Sequence, residues 1–189
     1  MSIKALPNIV TSARIVLAVL VFGLLAAAGG LWPAPRGMEL GLHQSLILIA
    51  LILFLVAALT DFVDGWLARK LNAHSALGVM LDPIADKIAV VAAVIGLCTT
   101  DAALIAWPGA LMLMRELFVA GLRESGIKLA VTKLAKWKTT AQLVALASIM
   151  ASHIWPELGH AAFALLWVAT GLTLWTGADY LLKTLKALR

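Results

Sequence analysis

Residues 61–86 read DFVDGWLARKLNAHSALGVMLDPIAD and hold four of the ten acidic residues of the chain. One apolar run ends with Asp61 and Asp64, and the next apolar run opens with Asp82 and Asp86. On a helix, spacings of three and four residues place each pair of aspartates on one face. Because only a short polar link joins the two runs, we expect antiparallel helices that bring all four carboxylates to the same depth.

Carboxylates at the edge of a hydrocarbon layer are costly unless a cation holds them there. A cluster of oxygen ligands suits Mg²⁺ or Mn²⁺, and it can hold two ions that clamp phosphate oxygens. The alternative from a different class is an ion or proton pathway in a cation-coupled transporter. Transporters usually show inverted repeats and midplane binding sites, whereas this sequence has no visible repeat and places the cluster toward one face.

The composition is that of a polytopic membrane protein. Of the 189 residues, 62% are hydrophobic and 13% are charged, whereas a soluble domain is about half apolar and about a quarter charged. We therefore predict an all-α integral membrane fold, with residues 1–189 forming a single domain. The single cysteine, Cys98, excludes an internal disulfide. The six predicted spans are Ile9–Ala28, Ser45–Ala68, Leu77–Thr99, Ala102–Leu122, Thr140–Trp155 and Ala161–Leu182, and the alternative for the short fifth span is an extension back to Lys136.

Basic residues orient the predicted spans. Fourteen of the fifteen Lys and Arg residues fall on flanks that share one side of the membrane, and Arg36 is the exception. Since cytoplasmic flanks are enriched in basic residues, both termini and the aspartates are predicted to face the cytoplasm. The net charge of +5 then indicates membrane topology and anionic ligands, with no nucleic acid as a partner. We expect a multi-pass protein of a bacterial inner membrane, in contact with membrane lipids.

The aspartate stretch resembles the signature of the CDP-alcohol phosphotransferases, integral membrane enzymes that build phospholipids. Its pattern is D-x2-D-G-x2-A-R-x8-G-x3-D-x3-D, and every fixed position is matched. The matching residues are Asp61, Asp64, Gly65, Ala68, Arg69, Gly78, Asp82 and Asp86. The resemblance implies that Asp61, Asp64 and Asp82 bind the metal ions and that the protein is a homodimer. It also implies that Asp86 contacts one ion and is the catalytic base that removes the proton of the acceptor alcohol.

The same resemblance predicts where the donor, CDP-diacylglycerol, binds. Gly65 and Ala68 lie on the helix stripe of Asp61, where small residues let a nucleotide approach the backbone. Close helix packing is the alternative explanation for these small residues. Arg69 either donates two hydrogen bonds to the diphosphate or extends to the phosphate of a membrane lipid. The predicted donor-binding residues are Asn8, Thr11, Arg14, Asp61, Gly65, Ala68, Arg69, Ser75 and Gly78.

Three polar residues open the first predicted span. Asn8, Thr11 and Arg14 are spaced three apart, which places them within one arc of a helix. This stripe resembles the start of the family's first span, which borders the nucleotide pocket. Lys4 followed by an apolar run also fits a cleaved signal peptide. The stripe favours a first span that is retained and functional.

Two basic stretches indicate the acceptor. Residues 115–124 read RELFVAGLRE and residues 136–142 read KWKTTAQ, and both resemble stretches of the phosphatidylglycerophosphate synthases within this family. Glycerol 3-phosphate is a dianion, and its recognition calls for convergent Arg and Lys side chains. We therefore predict that it is bound by Arg115, Arg123 and Lys136. Glu116 lies seven residues before Arg123 on one helix face, and these two residues are predicted to pair.

The expected reaction is transfer of the phosphatidyl group of CDP-diacylglycerol to the 1-hydroxyl of glycerol 3-phosphate, which gives phosphatidylglycerophosphate and CMP. Inositol phosphate is the nearest alternative acceptor, because it also carries a phosphate. A neutral acceptor would not require Arg115 and Arg123 together. Membrane topology and attraction to anionic lipids are the alternative explanation for the lysines of this segment.

Overall fold

The computed structural model describes the backbone of residues 6–31, 40–71, 76–124 and 133–187, and the side chains of residues 10–31, 41–60, 84–122 and 137–186. Over these ranges the chain is helical apart from short turns, which confirms the all-α prediction. The described helices are α1 (Leu6–Ala28), α2 (Leu40–Leu71), α3 (Ala76–Thr100), α4 (Ala102–Glu124), α5 (Lys133–Ser152) and α6 (Gly159–Ala187), with a short 3-10 helix (Pro156–Leu158) before α6.

Membrane-spanning character is clear in much of the described chain. The stretches that are long and apolar enough to cross a membrane are Val10–Ala28, Gly41–Thr60, Ala102–Leu122 and Pro156–Lys186. Large apolar side chains point outward from these helices, such as Trp175, which is 71% exposed. An apolar outer surface suits lipid rather than water. A helical membrane protein is thus confirmed, whereas the count of six spans and their orientation stay predictions.

Most helices begin before their predicted spans, and the difference is largest for the second and fifth helices. The second begins at Leu40 rather than Ser45, and the fifth begins at Lys133 rather than Thr140. The first turns of α5 are rich in Lys, Leu and Ala, which are strong helix formers. The positive charges lower the hydropathy of these turns but do not interrupt their backbone hydrogen bonding, so the helix extends beyond the apolar run.

The fifth helix also ends earlier than predicted, at Ser152 rather than Trp155. A proline disfavours helical backbone at the residue before it. Trp155 precedes Pro156 and has φ and ψ of −120° and 88°, outside the helical region. The chain therefore leaves α5 before Trp155 and starts again with the 3-10 helix.

In the first of two helical units, Met1–Asp101, α1 packs against both α2 and α3. A Cβ atom on Gly96 of α3 would lie only 2.8 Å from the Cβ of Leu25 in α1, so the two backbones approach closely there. Thr99 Oγ1 donates to the Leu25 carbonyl oxygen at 3.1 Å. A ring nitrogen of His43 lies 2.9 Å from the carbonyl oxygen of the last residue of α1. The Gly96 and Thr99 contacts hold the C-terminal ends of α1 and α3 together, and the His43 contact holds the end of α1 against the start of α2.

In the second unit, Ala102–Arg189, α6 packs against both α4 and α5. Its buried face carries threonines that each donate their hydroxyl to a carbonyl oxygen of α6 itself, at 2.7–2.9 Å. A hydroxyl that donates to its own helix leaves its oxygen as an acceptor for a neighbouring helix. Polar groups of α4 and α5 can therefore bond to α6. These threonines are Thr170, Thr173, Thr176 and Thr184.

Candidate functional site

An ion pair joins α1 to α3 in the first unit. Arg14 Nη1 donates to Asp86 Oδ1 at 3.0 Å, across 72 residues of sequence. The Arg14 side chain is only 3% exposed, whereas that of Asp86 is 41% exposed. Thr11, one turn earlier in α1, is also buried. The predicted polar stripe of α1 thus borders the last aspartate of the motif.

The unequal exposure of this pair decides what it can do. A buried guanidinium among apolar helices requires an anionic partner, and Asp86 supplies it. The carboxylate is 41% exposed, and an ionised carboxylate has about four lone-pair sites. Asp86 can therefore meet a ligand's cation or accept a ligand's proton while Arg14 fixes the orientation of the carboxylate.

For the other three aspartates of the motif, the structure describes the backbone only. Asp61 and Asp64 precede the end of α2, and Asp82 lies one turn before Asp86 in α3. All four positions are helical, so the spacing that puts each pair on one face holds in the structure. Several predicted site residues have side chains outside the described residues: Asn8, Asp61, Asp64, Gly65, Ala68, Arg69, Ser75, Gly78 and Asp82.

A second polar arrangement lies in the second unit, and we call it the Glu116 cluster. It contains Arg115 and Glu116 of α4 with Lys138 and Gln142 of α5. Arg115 Nη1 donates to Glu116 Oε1 at 3.3 Å, and Lys138 Nζ donates to the same oxygen. Gln142 Nε2 lies 3.4 Å from that oxygen and donates to Thr173 Oγ1 of α6 at 2.9 Å. The charged side chains are 6–15% exposed.

The Arg115 side chain also extends across α6. Its Nη2 donates to Thr176 Oγ1 at 2.9 Å, and its guanidinium carbon lies 5.9 Å from the centre of the Tyr180 ring, within cation–π range. Gly177 makes room for this path, because a Cβ atom there would lie 2.8 Å from Arg115 Cγ. Arg115 is therefore held by both α4 and α6.

One of the three predicted acceptor-binding residues, Arg115, lies in the cluster. Arg123 and Lys136 belong to α4 and α5, but their side chains lie outside the described residues. The predicted pairing of Arg123 with Glu116 lies outside them as well. Lys138 was not among the predicted ligands, although the basic stretch that indicated the acceptor contains it.

The α6 partners of the cluster were also missing from the sequence-based prediction. A signal for them exists in the sequence. Thr170, Thr173 and Thr176 recur every three residues in an otherwise apolar run, and this spacing places a polar stripe on one helix face.

The two ionic arrangements define a class of protein. Ionisable residues inside membrane helices are costly, and they mark sites that handle charged ligands or protons. Arg14 lies in the candidate span Val10–Ala28, and Arg115 and Glu116 lie in the candidate span Ala102–Leu122. This combination is typical of a helical membrane enzyme or transporter that acts on a charged ligand. Comparison with known proteins decides between the two: residues 4–175 match the family described as CDP-alcohol phosphatidyltransferase, and the chain belongs to this family.

Curated relatives cover most of the chain. A relative from Cereibacter sphaeroides is 38% identical across 98% of this chain and 97% of its own length. A relative from Bacillus subtilis strain 168 is 38% identical across 97% of both chains. A relative from Escherichia coli strain K12 is 42% identical across 70% of this chain and 76% of its own length. All three are named CDP-diacylglycerol–glycerol-3-phosphate 3-phosphatidyltransferase.

Proposed function

We propose that this membrane enzyme transfers the phosphatidyl group of CDP-diacylglycerol to glycerol 3-phosphate, giving phosphatidylglycerophosphate and CMP. Similarity over nearly the full length to relatives named for this activity supports the proposal. The structural observation that carries it is the Glu116 cluster. Two buried cations that share one carboxylate suit an acceptor that bears a phosphate, and a neutral alcohol would not require them.

We assign the donor half of the reaction to the aspartate motif. Asp61, Asp64, Asp82 and Asp86 are all in helices, and their oxygen chemistry fits Mg²⁺ or Mn²⁺, with room in such a donor set for two ions. Ions held by these carboxylates would supply positive charge that neutralises the diphosphate and stabilises the departing phosphate. The donor-binding residues predicted from the motif and from α1 complete this half.

The chemical step requires a hydroxyl nucleophile and a place for its proton. The acceptor oxygen forms a bond to the phosphorus that carries the diacylglycerol. The bond from that phosphorus to the bridging diphosphate oxygen breaks, and CMP leaves with the electron pair. We assign the removal of the hydroxyl proton to Asp86, whose carboxylate is 41% exposed and is oriented by the buried Arg14. We therefore assign Arg14 to orienting Asp86, beside the donor contact predicted for it.

We assign the acceptor's phosphate to basic residues of the second unit. Arg115 and Lys138 are held next to each other by a common carboxylate oxygen. Arg123 and Lys136 are the further ligands predicted from the sequence. Inositol phosphate would meet the same cations, so the choice of acceptor has to be measured directly.

We further propose the placement of the enzyme in the cell. The distribution of basic residues supports six spans with both termini in the cytoplasm. The active site would then face the cytoplasm from a bacterial inner membrane, in contact with membrane lipids. A homodimer is proposed from the family resemblance alone.

A panel of acceptors tests this function. The full-length enzyme in detergent receives CDP-diacylglycerol and Mg²⁺, and CMP release is measured with glycerol 3-phosphate, inositol phosphate, serine or phosphatidylglycerol. We expect CMP release to depend on glycerol 3-phosphate. Efficient turnover of inositol phosphate with none of glycerol 3-phosphate would reassign the acceptor. No CMP release with any acceptor would contradict the enzymatic assignment and favour transport.

A further inference from the structure

The Glu116 carboxylate lies between the two cations that we assign to the acceptor's phosphate. An anionic side chain is unexpected in a site that binds an anion. Arg115 and Lys138 both bond to the same oxygen, Oε1 of Glu116. A carboxylate repels an incoming phosphate, and the repulsion is strong where water is excluded. The formal charges of these three side chains nevertheless sum to one positive charge, so the group as a whole attracts an anion.

The geometry shows that the carboxylate joins side chains which point in different directions. Consecutive residues of a helix are about 100° apart around its axis, yet Arg115 and Glu116 meet at 3.3 Å. Arg115 is drawn toward α6, where it lies over Gly177 and donates to Thr176. Glu116 accepts from Lys138 of α5. The carboxylate therefore fixes a cation from α4 beside a cation from α5.

We propose that Glu116 is a positioning residue for the phosphate of the acceptor, a role that rests on the proposed function. It holds the ends of Arg115 and Lys138 beside each other before the acceptor arrives. Both side chains have many rotamers, and ordering them in advance removes that cost from the binding step. Gln142 supports the arrangement, because its amide bonds to Thr173 and approaches the same carboxylate oxygen.

The rival explanation is that Glu116 competes with the phosphate for the two cations. Removing its charge would then strengthen acceptor binding, whereas a positioning role predicts that binding weakens. The two explanations thus give opposite signs for the change in KM of glycerol 3-phosphate. The burial of Glu116, which is only 15% exposed, favours a permanent partner of the cations over a group that a substrate displaces.

The deciding variant is Glu116→Gln in the full-length enzyme in detergent. It keeps the size and one oxygen acceptor of Glu116 but removes the charge. We expect the KM for glycerol 3-phosphate to rise about tenfold, because a hydrogen bond loses its charge on one side. The KM for CDP-diacylglycerol should change less than about twofold, and kcat at saturating acceptor should be largely retained. Glu116→Asp keeps the charge with a shorter reach and should fall between wild type and Glu116→Gln.

Asp179→Asn is the matched control, because Asp179 is an exposed carboxylate of the same unit that pairs with Lys183. It removes one negative charge and should leave both KM values unchanged. An unchanged or lower KM for glycerol 3-phosphate in Glu116→Gln overturns the positioning role. If Glu116→Gln does not fold, Glu116→Asp provides the same test of sign. Failure of the wild type to use glycerol 3-phosphate overturns the proposed function and this role together, whereas normal wild-type turnover with an unaffected variant overturns the role alone.

Discussion

Replacing Gly177 by alanine should weaken acceptor binding without changing a charged group. The new Cβ atom would lie 2.8 Å from Arg115 Cγ, 3.3 Å from its Nε and 3.6 Å from its Cδ. Carbon atoms pack at about 3.5–4.0 Å, so the Arg115 side chain has to move by about 1 Å. Such a movement breaks or greatly lengthens the 2.9 Å hydrogen bond from Arg115 to Thr176.

The expected magnitude follows from that bond. A hydrogen bond from a charged donor contributes about 1.5–3 kcal/mol, which corresponds to about 10- to 150-fold in a binding constant. Arg115 keeps its charge and can keep its contact with Glu116, so we expect the lower end of this range. The KM for glycerol 3-phosphate should therefore rise about tenfold, while the KM for CDP-diacylglycerol stays near the wild-type value.

Gly171→Ala is the matched control for this variant. Gly171 lies in the same helix, but a Cβ atom there would meet nothing within 4 Å. Initial rates of CMP release are measured at varied glycerol 3-phosphate with saturating donor, and melting temperatures show whether each variant is folded. If the folded Gly177→Ala variant and Gly171→Ala have equal acceptor KM values, the inference that Gly177 leaves the space needed by the Arg115 side chain is refuted.

Three further outcomes are expected. Asp61→Asn and Asp82→Asn should each abolish transfer in limiting Mg²⁺, with partial recovery in excess Mn²⁺, and a wild-type rate in limiting Mg²⁺ would remove both from the metal site. Asp86→Asn should lower kcat by about 100- to 10,000-fold with a smaller loss of donor affinity, and an affinity defect with normal kcat would leave Asp86 as a ligand only. Gly96→Ala should destabilise the first unit by about 1–3 kcal/mol through overpacking against α1, whereas Gly23→Ala, where a Cβ atom meets nothing within 4 Å, should not lower the melting temperature.

Sequence periodicity was sufficient for most of the helical framework. Apolar runs of membrane length form helices whatever surrounds them, because lipid offers the backbone no other hydrogen-bond partners. The observed α3, Ala76–Thr100, and α4, Ala102–Glu124, agree with their predicted spans within two residues at each end. Helix α5 begins at Lys133, before its predicted span, because hydropathy identifies only the apolar part of a helix, whereas this helix includes basic turns.

The partners of the charged groups could not be predicted in the same way. A polar stripe in α1 indicates which face of the helix avoids lipid, but the pairing of Arg14 with Asp86 depends on how α1 packs against α3. The basic stretch of α5 poses a similar problem. A helix turns by about 200° between Lys136 and Lys138, so only the packing of α5 decides which lysine meets its neighbours. The structure places Lys138 in the Glu116 cluster, whereas the sequence predicts Lys136 as the ligand.

The most direct test of the proposed reaction follows both substrates in one experiment. CDP-diacylglycerol labelled in the cytidine and glycerol 3-phosphate labelled in its carbon are incubated with the full-length enzyme and Mg²⁺, and the lipid and water-soluble products are separated. We predict that CMP and labelled phosphatidylglycerophosphate form in equal amounts, and that neither forms when one substrate is omitted. CMP released without the acceptor, or a lipid fraction free of the glycerol label, would contradict phosphatidyl transfer to glycerol 3-phosphate.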